Sequence, residues 1–261
     1  MNEKYKKKLT VRKQDLGWWS ELSKSHEKLY EKHRIEYSKF RNDIALNYMT
    51  STKRGRLDYD NPNTIDSIDA YYKDVVKKLK VDVHHTDFLL GKPVYIEKDN
   101  KIITQDLITT AEEFDIFSKN INIENIKSIV EIGVGYGRTA CYFLRSMPNI
   151  EHYYIVDISP AIDLTYDYSH EVLEKVNADK IVKIKPAELR SYLEKNKINI
   201  DCFIAMSSIN EMTGNYVNYY LDIIDEFGKY FYHKNTNIHE DCAPNPENYN
   251  QNRSEQSYIC L

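Results

Sequence analysis

This 261-residue chain contains no run of about 20 apolar residues, so no segment is long enough to cross a bilayer as a helix. Its first residues, Met1-Asn2-Glu3-Lys4-Tyr5-Lys6-Lys7-Lys8, lack the apolar stretch of a secretory signal, and the expected location is the cytoplasm. Cysteine is scarce. Cys141, Cys202, Cys242 and Cys260 lie far apart with no C-x-x-C pair, which removes the usual zinc and dithiol signatures and leaves Cys141 and Cys202 as reduced core residues. An excess of positive charge is also missing. With 36 basic against 40 acidic residues the net charge is −4, and nothing calls for a nucleic acid partner. What the chain does have is a 41% hydrophobic fraction, adequate for one large or two small domains, and 22 tyrosines spread along its length.

Glycine is rare too, at eight residues, yet three of them fall within five positions. In Ser128-Ile129-Val130-Glu131-Ile132-Gly133-Val134-Gly135-Tyr136-Gly137-Arg138 a β-branched apolar run stops at alternating glycines, and helical spacing follows at once. This reads as strand, tight turn, helix. Glycines there accept positive φ and let a ligand approach the backbone, while the helix start offers N–H groups and a positive dipole end. A dinucleotide fingerprint wants a third glycine at the sixth position, where this chain has Arg138, so NAD is disfavoured. A second apolar run, Tyr153-Tyr154-Ile155-Val156, ends on Asp157, 20 positions after Gly137. In a βαβ unit that carboxylate reaches a ribose held over the glycine turn. It equally serves to cap the helix that begins near Pro160.

The run from Glu131 to Gly137 resembles the first motif of class I S-adenosylmethionine-dependent methyltransferases, an acidic residue ahead of G-x-G-x-G. The resemblance implies S-adenosylmethionine as cofactor, with Glu131, Gly133, Val134, Gly135, Gly137, Arg138, Asp157, Ile158 and Ser207 around it. Further along, Ser208-Ile209-Asn210-Glu211-Met212 and Tyr230-Phe231-Tyr232-His233-Lys234-Asn235 resemble the corresponding stretches of a bacterial sugar O-methyltransferase family, over roughly residues 126–235. The implied acceptor is a sugar hydroxyl on a nucleotide sugar or a surface-polysaccharide precursor. Another small hydroxyl- or phosphate-bearing metabolite, or a non-catalytic subunit binding a partner through Trp18-Trp19, are the competing expectations, and a homo-oligomer stays open.

A sugar hydroxyl is a poor nucleophile, so a general base is expected. His233 and Glu211 are the candidates, with Asn210 to orient the acceptor. Each has a plainer alternative: Glu211 closes a capping box with Ser208, and His233 is an ordinary histidine at a strand end. No metal is expected. His239-Glu240-Asp241 are adjacent and point apart, and His84-His85 with Asp87 is a weaker version of the same cluster.

The rest of the pattern places these motifs in an α/β fold, a doubly wound and mostly parallel sheet behind a mainly helical N-terminal region. Residues 1–104 comprise a basic tail, helical spacing over 15–48, a loop over 50–63, a helix over 65–79 and a hairpin around Asp99-Asn100. Residues 105–261 form the Rossmann-like, cofactor-binding unit, opened by a helix from Thr104 or Asp106, with five strands alternating with helices. The fifth strand is expected to end at His233. The short tail leaves room for one strand near Tyr258-Ile259-Cys260, so the sheet edge is expected to be abbreviated or completed by the hairpin or a partner subunit.

Overall fold

The computed structural model describes residues 24, 28, 40–41, 64–79, 83–159, 161–209, 212, 214–237 and 254–260. The expected basic tail, the Trp18-Trp19 pair, the 50–63 loop, Asn210, Glu211 and the 239–241 cluster lie outside these residues. Helix α1, Thr64–Asp74, continues as a π-helical turn over Val75–Leu79. Strands β1, Ile96–Lys98, and β2, Lys101–Ile103, pair antiparallel. Asp99 and Asn100 between them both have left-handed φ, 50° and 60°, which is the backbone a two-residue I′ turn demands. Helix α2, Gln105–Asn120, starts at Thr104, whose hydroxyl accepts a hydrogen bond from the Leu107 amide at 3.1 Å.

Six strands build the main sheet: β3, Ser128–Ile132; β4, His152–Val156; β5, Ile181–Ile184; β6, Ile200–Met206; β7, Gly228–Asn237; and β8, Ser254–Cys260. Their order is β5-β4-β3-β6-β7-β8. The first five in sequence are parallel, and β8 runs antiparallel to β7. The strand beside β7 is thus formed by residues 254–260 of the same chain and not by the hairpin, which makes a separate two-stranded sheet. Strand β7 also continues past His233 to Asn237, because β8 supplies hydrogen-bonding partners for the polar residues beyond it.

Helices cover both faces, which is why the strands read as near-continuous apolar runs. On one face Ile129, Ile155, Cys202, Ile204 and Tyr232 pack with Ala111 and Phe117 of α2, with Phe143 of α3, Arg138–Ser146, and with Leu164 of α4, Ala161–Val172. The same cluster takes in Ile68, Val75, Ile96 and Ile103, so apolar contact runs unbroken across position 104. The other face packs Val130, Tyr154, Phe203 and Phe231 against a second helical layer. A short helix α5, Lys175–Ala178, leads into β5; α6, Leu189–Asn196, and α7, Gly214–Phe227, form that second layer. The result is a doubly wound Rossmann-like sheet. Strand order reverses between β3 and β6, and ligands bind in the crevice outside the carboxyl ends of such a pair.

Phe117 is fully buried, with its ring 5.1 Å from Phe143 and 5.4 Å from Tyr232. Phe117→Ala is expected to cost about 3–5 kcal/mol in urea unfolding; an unchanged midpoint would contradict the packing of α2 on the sheet.

Candidate functional site

At the carboxyl end of β3 the chain takes three left-handed glycines, Gly133 at φ 77°, Gly135 at 58° and Gly137 at 97°. Position 133 is the most constrained. A Cβ there would sit 2.2 Å from the Ser208 Cβ, beyond the end of β6, while the Gly133 amide donates to Val156 of β4 at 2.9 Å. Ser208 in turn donates its hydroxyl to the Ile132 carbonyl at 2.6 Å. The tips of β4, β3 and β6 are thereby tied at one point. Gly137 precedes α3 and faces α4, where a Cβ would come within 2.8 Å of Thr165. The Thr165 hydroxyl also donates to the Gly135 carbonyl at 3.0 Å.

Asp157 lies at the tip of β4 beside this turn. Its carboxylate accepts from the amides of Val134 at 2.8 Å, Gly135 at 3.4 Å and Ile158 at 2.7 Å. Burial pushes the carboxyl up to about 6, against the pull of those three amides. Ser207, next to Ser208, is itself left-handed at φ 56° and donates its amide to Lys234 of β7 at 2.6 Å. A non-glycine residue in that region signals local strain, and strain of this sort gathers at ligand sites. Gly133, Val134, Gly135, Asp157, Ile158 and Ser207 are thus brought together.

The other expected residues sit differently. Glu131 is buried one layer beneath the turn, accepting the Tyr153 hydroxyl at 2.7 Å, and burial drives its carboxyl up to about 8. Arg138 turns toward α2, donating to Glu113 at 2.6 and 3.3 Å and to Thr110 at 2.6 Å. Lys234 reaches the same Glu113 at 2.8 Å. Burial opposes the Glu113 charge, but Arg138 and Lys234 outweigh it and hold the carboxyl down at about 2. His233 does not end its strand; it stacks on Phe231 with ring centroids 4.8 Å apart, and burial lowers its imidazole to about 4. The His84-His85-Asp87 group does not assemble: His85 shares a hydrogen bond with Ser146 at 2.8 Å, while Asp87 accepts from Arg41 at 2.7 Å. Among the described residues no three metal-binding side chains converge.

Sequence reasoning missed Thr165 and Glu113, and it gave Ser208 and Lys234 other places, Ser208 as a capping partner of Glu211 and Lys234 within the 230–235 stretch. Thr165 and its neighbour Ser169 carried a signal, since they interrupt the buried stripe of α4 with small polar side chains. Glu113 carried none, and neither did its pairing with Lys234, because an ion pair across 121 positions leaves no local pattern.

Gly133→Ala is expected to lower the melting temperature, since left-handed φ alone costs an L-residue about 1–2 kcal/mol and the Ser208 contact adds to it. Ser208→Gly in the same chain should recover only the steric part. For Glu131 the folded pKa is raised, so its stabilising contribution is present below the unfolded carboxylate range and is lost as pH rises through about 8. Glu131→Gln removes that titration. Its melting temperature relative to the parent should climb between pH 6 and 9, and parallel curves would refute a buried neutral Glu131.

No protein-family model matches the sequence, and no curated protein is similar to it. Solved structures similar in fold include three methyltransferases. The methyltransferase domain of bacterial CtHen1-CN shares 16% identity over 49% of this chain and 67% of that one, with a TM-score of 0.41. Glycopeptide N-methyltransferase MtfA, complexed with S-adenosyl-L-homocysteine, shares 14% over 50% and 49%, at 0.39. Mitomycin 7-O-methyltransferase MmcR shares 15% over 53% and 39%, at 0.40. The chain spans between about two fifths and two thirds of their lengths.

Proposed function

We propose that this chain is an S-adenosylmethionine-dependent O-methyltransferase acting on a sugar hydroxyl, carried by a nucleotide sugar or a surface-polysaccharide precursor. One observation carries the cofactor assignment: the Asp157 carboxylate lies at the glycine turn, 2.8 Å from the Val134 amide. A carboxylate has about four acceptor positions, and three are taken by amides, the Gly135 contact being the longest. Asp157 therefore keeps capacity for a ribose hydroxyl. Gly133 and Gly135 present backbone without side chains, and Ile158 and Ser207 flank them. S-adenosylmethionine supplies a methyl group already activated on a sulfonium.

What the protein adds is placement. Holding an acceptor oxygen in line with the bond to be broken is worth on the order of 7–11 kcal/mol. Deprotonating the hydroxyl adds about 10²–10⁴-fold. Of the base candidates His233 and Glu211, the histidine, lowered to about 4 by burial, is neutral at pH 7, the form that accepts a proton. We assign the base to one of these two, and the orienting role to Asn210, which follows β6. The sugar itself rests on the likeness of residues 208–212 and 230–235 to the sugar O-methyltransferase family.

Titration calorimetry with S-adenosylmethionine and S-adenosylhomocysteine tests the cofactor. Asp157→Ala should weaken binding at least about tenfold, the value of a hydrogen bond to a charged group. No heat at millimolar ligand would end the proposal. Release of S-adenosylhomocysteine with nucleotide sugars, but not with other hydroxyl or phosphate metabolites, is the result expected for the acceptor.

A further inference from the structure

We propose that Arg41 and Tyr136 are positioning residues for the glycine turn, through which the N-terminal part of the chain sets how tightly the turn takes its cofactor; this rests on the cofactor assignment above. Tyr136 is the single side chain between the two left-handed glycines Gly135 and Gly137. With no Cβ on either side, the turn has wide backbone freedom, and Tyr136 anchors its middle. Its ring is buried to 1% exposure, edge-on to Tyr168 of α4 at 5.2 Å and tilted against Phe40 at 5.3 Å. Its hydroxyl donates to Asp106, in the first turn of α2, at 2.8 Å.

Arg41 closes this cage from the N-terminal side. Its guanidinium lies 5.1 Å from the Tyr136 ring centroid, in reach of a cation–π attraction. It donates to the same Asp106 carboxylate at 3.3 Å, to Asp87 at 2.7 Å and to the Phe88 carbonyl at 3.0 Å. Asp106 thus holds the turn's tyrosine and the arginine together. Asp87 is fixed in turn by the Thr104 hydroxyl and by the Phe88 amide at 2.7 Å. Arg41 itself is seated on the backbone, its amide donating to the Gly91 carbonyl at 2.9 Å. A Cβ on Gly91, left-handed at φ 83°, would strike the Phe40 ring at 2.6 Å. The Arg41 Nε is buried without an acceptor among the described residues, so the head group keeps this position although one donor goes unused. A flexible turn that must bind a ligand through its backbone binds better when it is ordered beforehand.

Tyr136→Phe keeps the ring and removes only the bond to Asp106, while Arg41→Lys keeps the charge and loses the fork that joins Asp87 to Asp106. Two readouts are needed, calorimetric affinity for S-adenosylhomocysteine and amide hydrogen exchange at Val134 and Gly135 in the free protein. Each variant should bind roughly tenfold more weakly and exchange those two amides faster, Tyr136→Phe with a melting temperature near the parent's and Arg41→Lys with a lower one. The double variant should be no weaker than the worse single one, because both changes cut one link. If Arg41→Lys fails to fold, Tyr136→Phe alone decides. Parental affinity together with parental exchange in Tyr136→Phe overturns the proposal. If the parent chain binds no S-adenosylhomocysteine, the cofactor assignment falls, and the exchange rates still tell whether the two residues hold the turn.

Discussion

Only a hydrogen fits at position 133. The Ser208 Cβ stands where a side chain would go, and the backbone is left-handed besides, so the choice of glycine there follows from how closely the ends of β3 and β6 approach. That approach in turn lets Ser208 close on the Ile132 carbonyl and lets the Gly133 amide bond across to β4. Three strand tips are pinned by two hydrogen bonds and one steric exclusion. The carboxylate of Asp157 comes to the turn because the β3–β4 register places Val156 opposite Ile132.

Beneath this polar mouth the protein handles buried charge in two opposite ways. Glu113 stays ionised because Arg138 and Lys234 both point at it, and breaking one partner of such a buried pair leaves an uncompensated charge. Among the described residues no cation is hydrogen-bonded to Glu131, and burial outweighs the pull of the nearby Arg138 and keeps it a neutral acid. The two carboxyls lie on the same side of the sheet, one held down at about 2 by its two cations and the other pushed up to about 8 by burial.

The sequence made local chemistry legible. Alternating glycines after a β-branched run, the I′ pair Asp99-Asn100 and the Thr104 cap are all encoded within a few residues, and each is found in place. The alternation of strands and helices was legible for the same reason. Long-range pairing was not. Residues 254–257, Ser-Glu-Gln-Ser, carry no strand signal of their own and become β8 because β7 offers an open edge. The extension of β7 beyond His233 depends on that same pairing, which is why a strand end was expected at an apolar-to-polar boundary. Arg138 was placed around the cofactor by the family resemblance alone; the partner of its side chain, Glu113, stands on a helix 25 positions earlier.

The β3–β6 register, Ile129 opposite Cys202, joins segments more than 70 residues apart. Every hydrogen bond in that ladder waits on closure of a long loop that contains β4 and β5, and such contacts form late and slowly. The glycine turn and Asp157 are thus joined across a short crossover, while Ser208 reaches the turn only across that long loop. Until β6 is in place beside β3, the open edge of β3 is a template for association with neighbouring molecules.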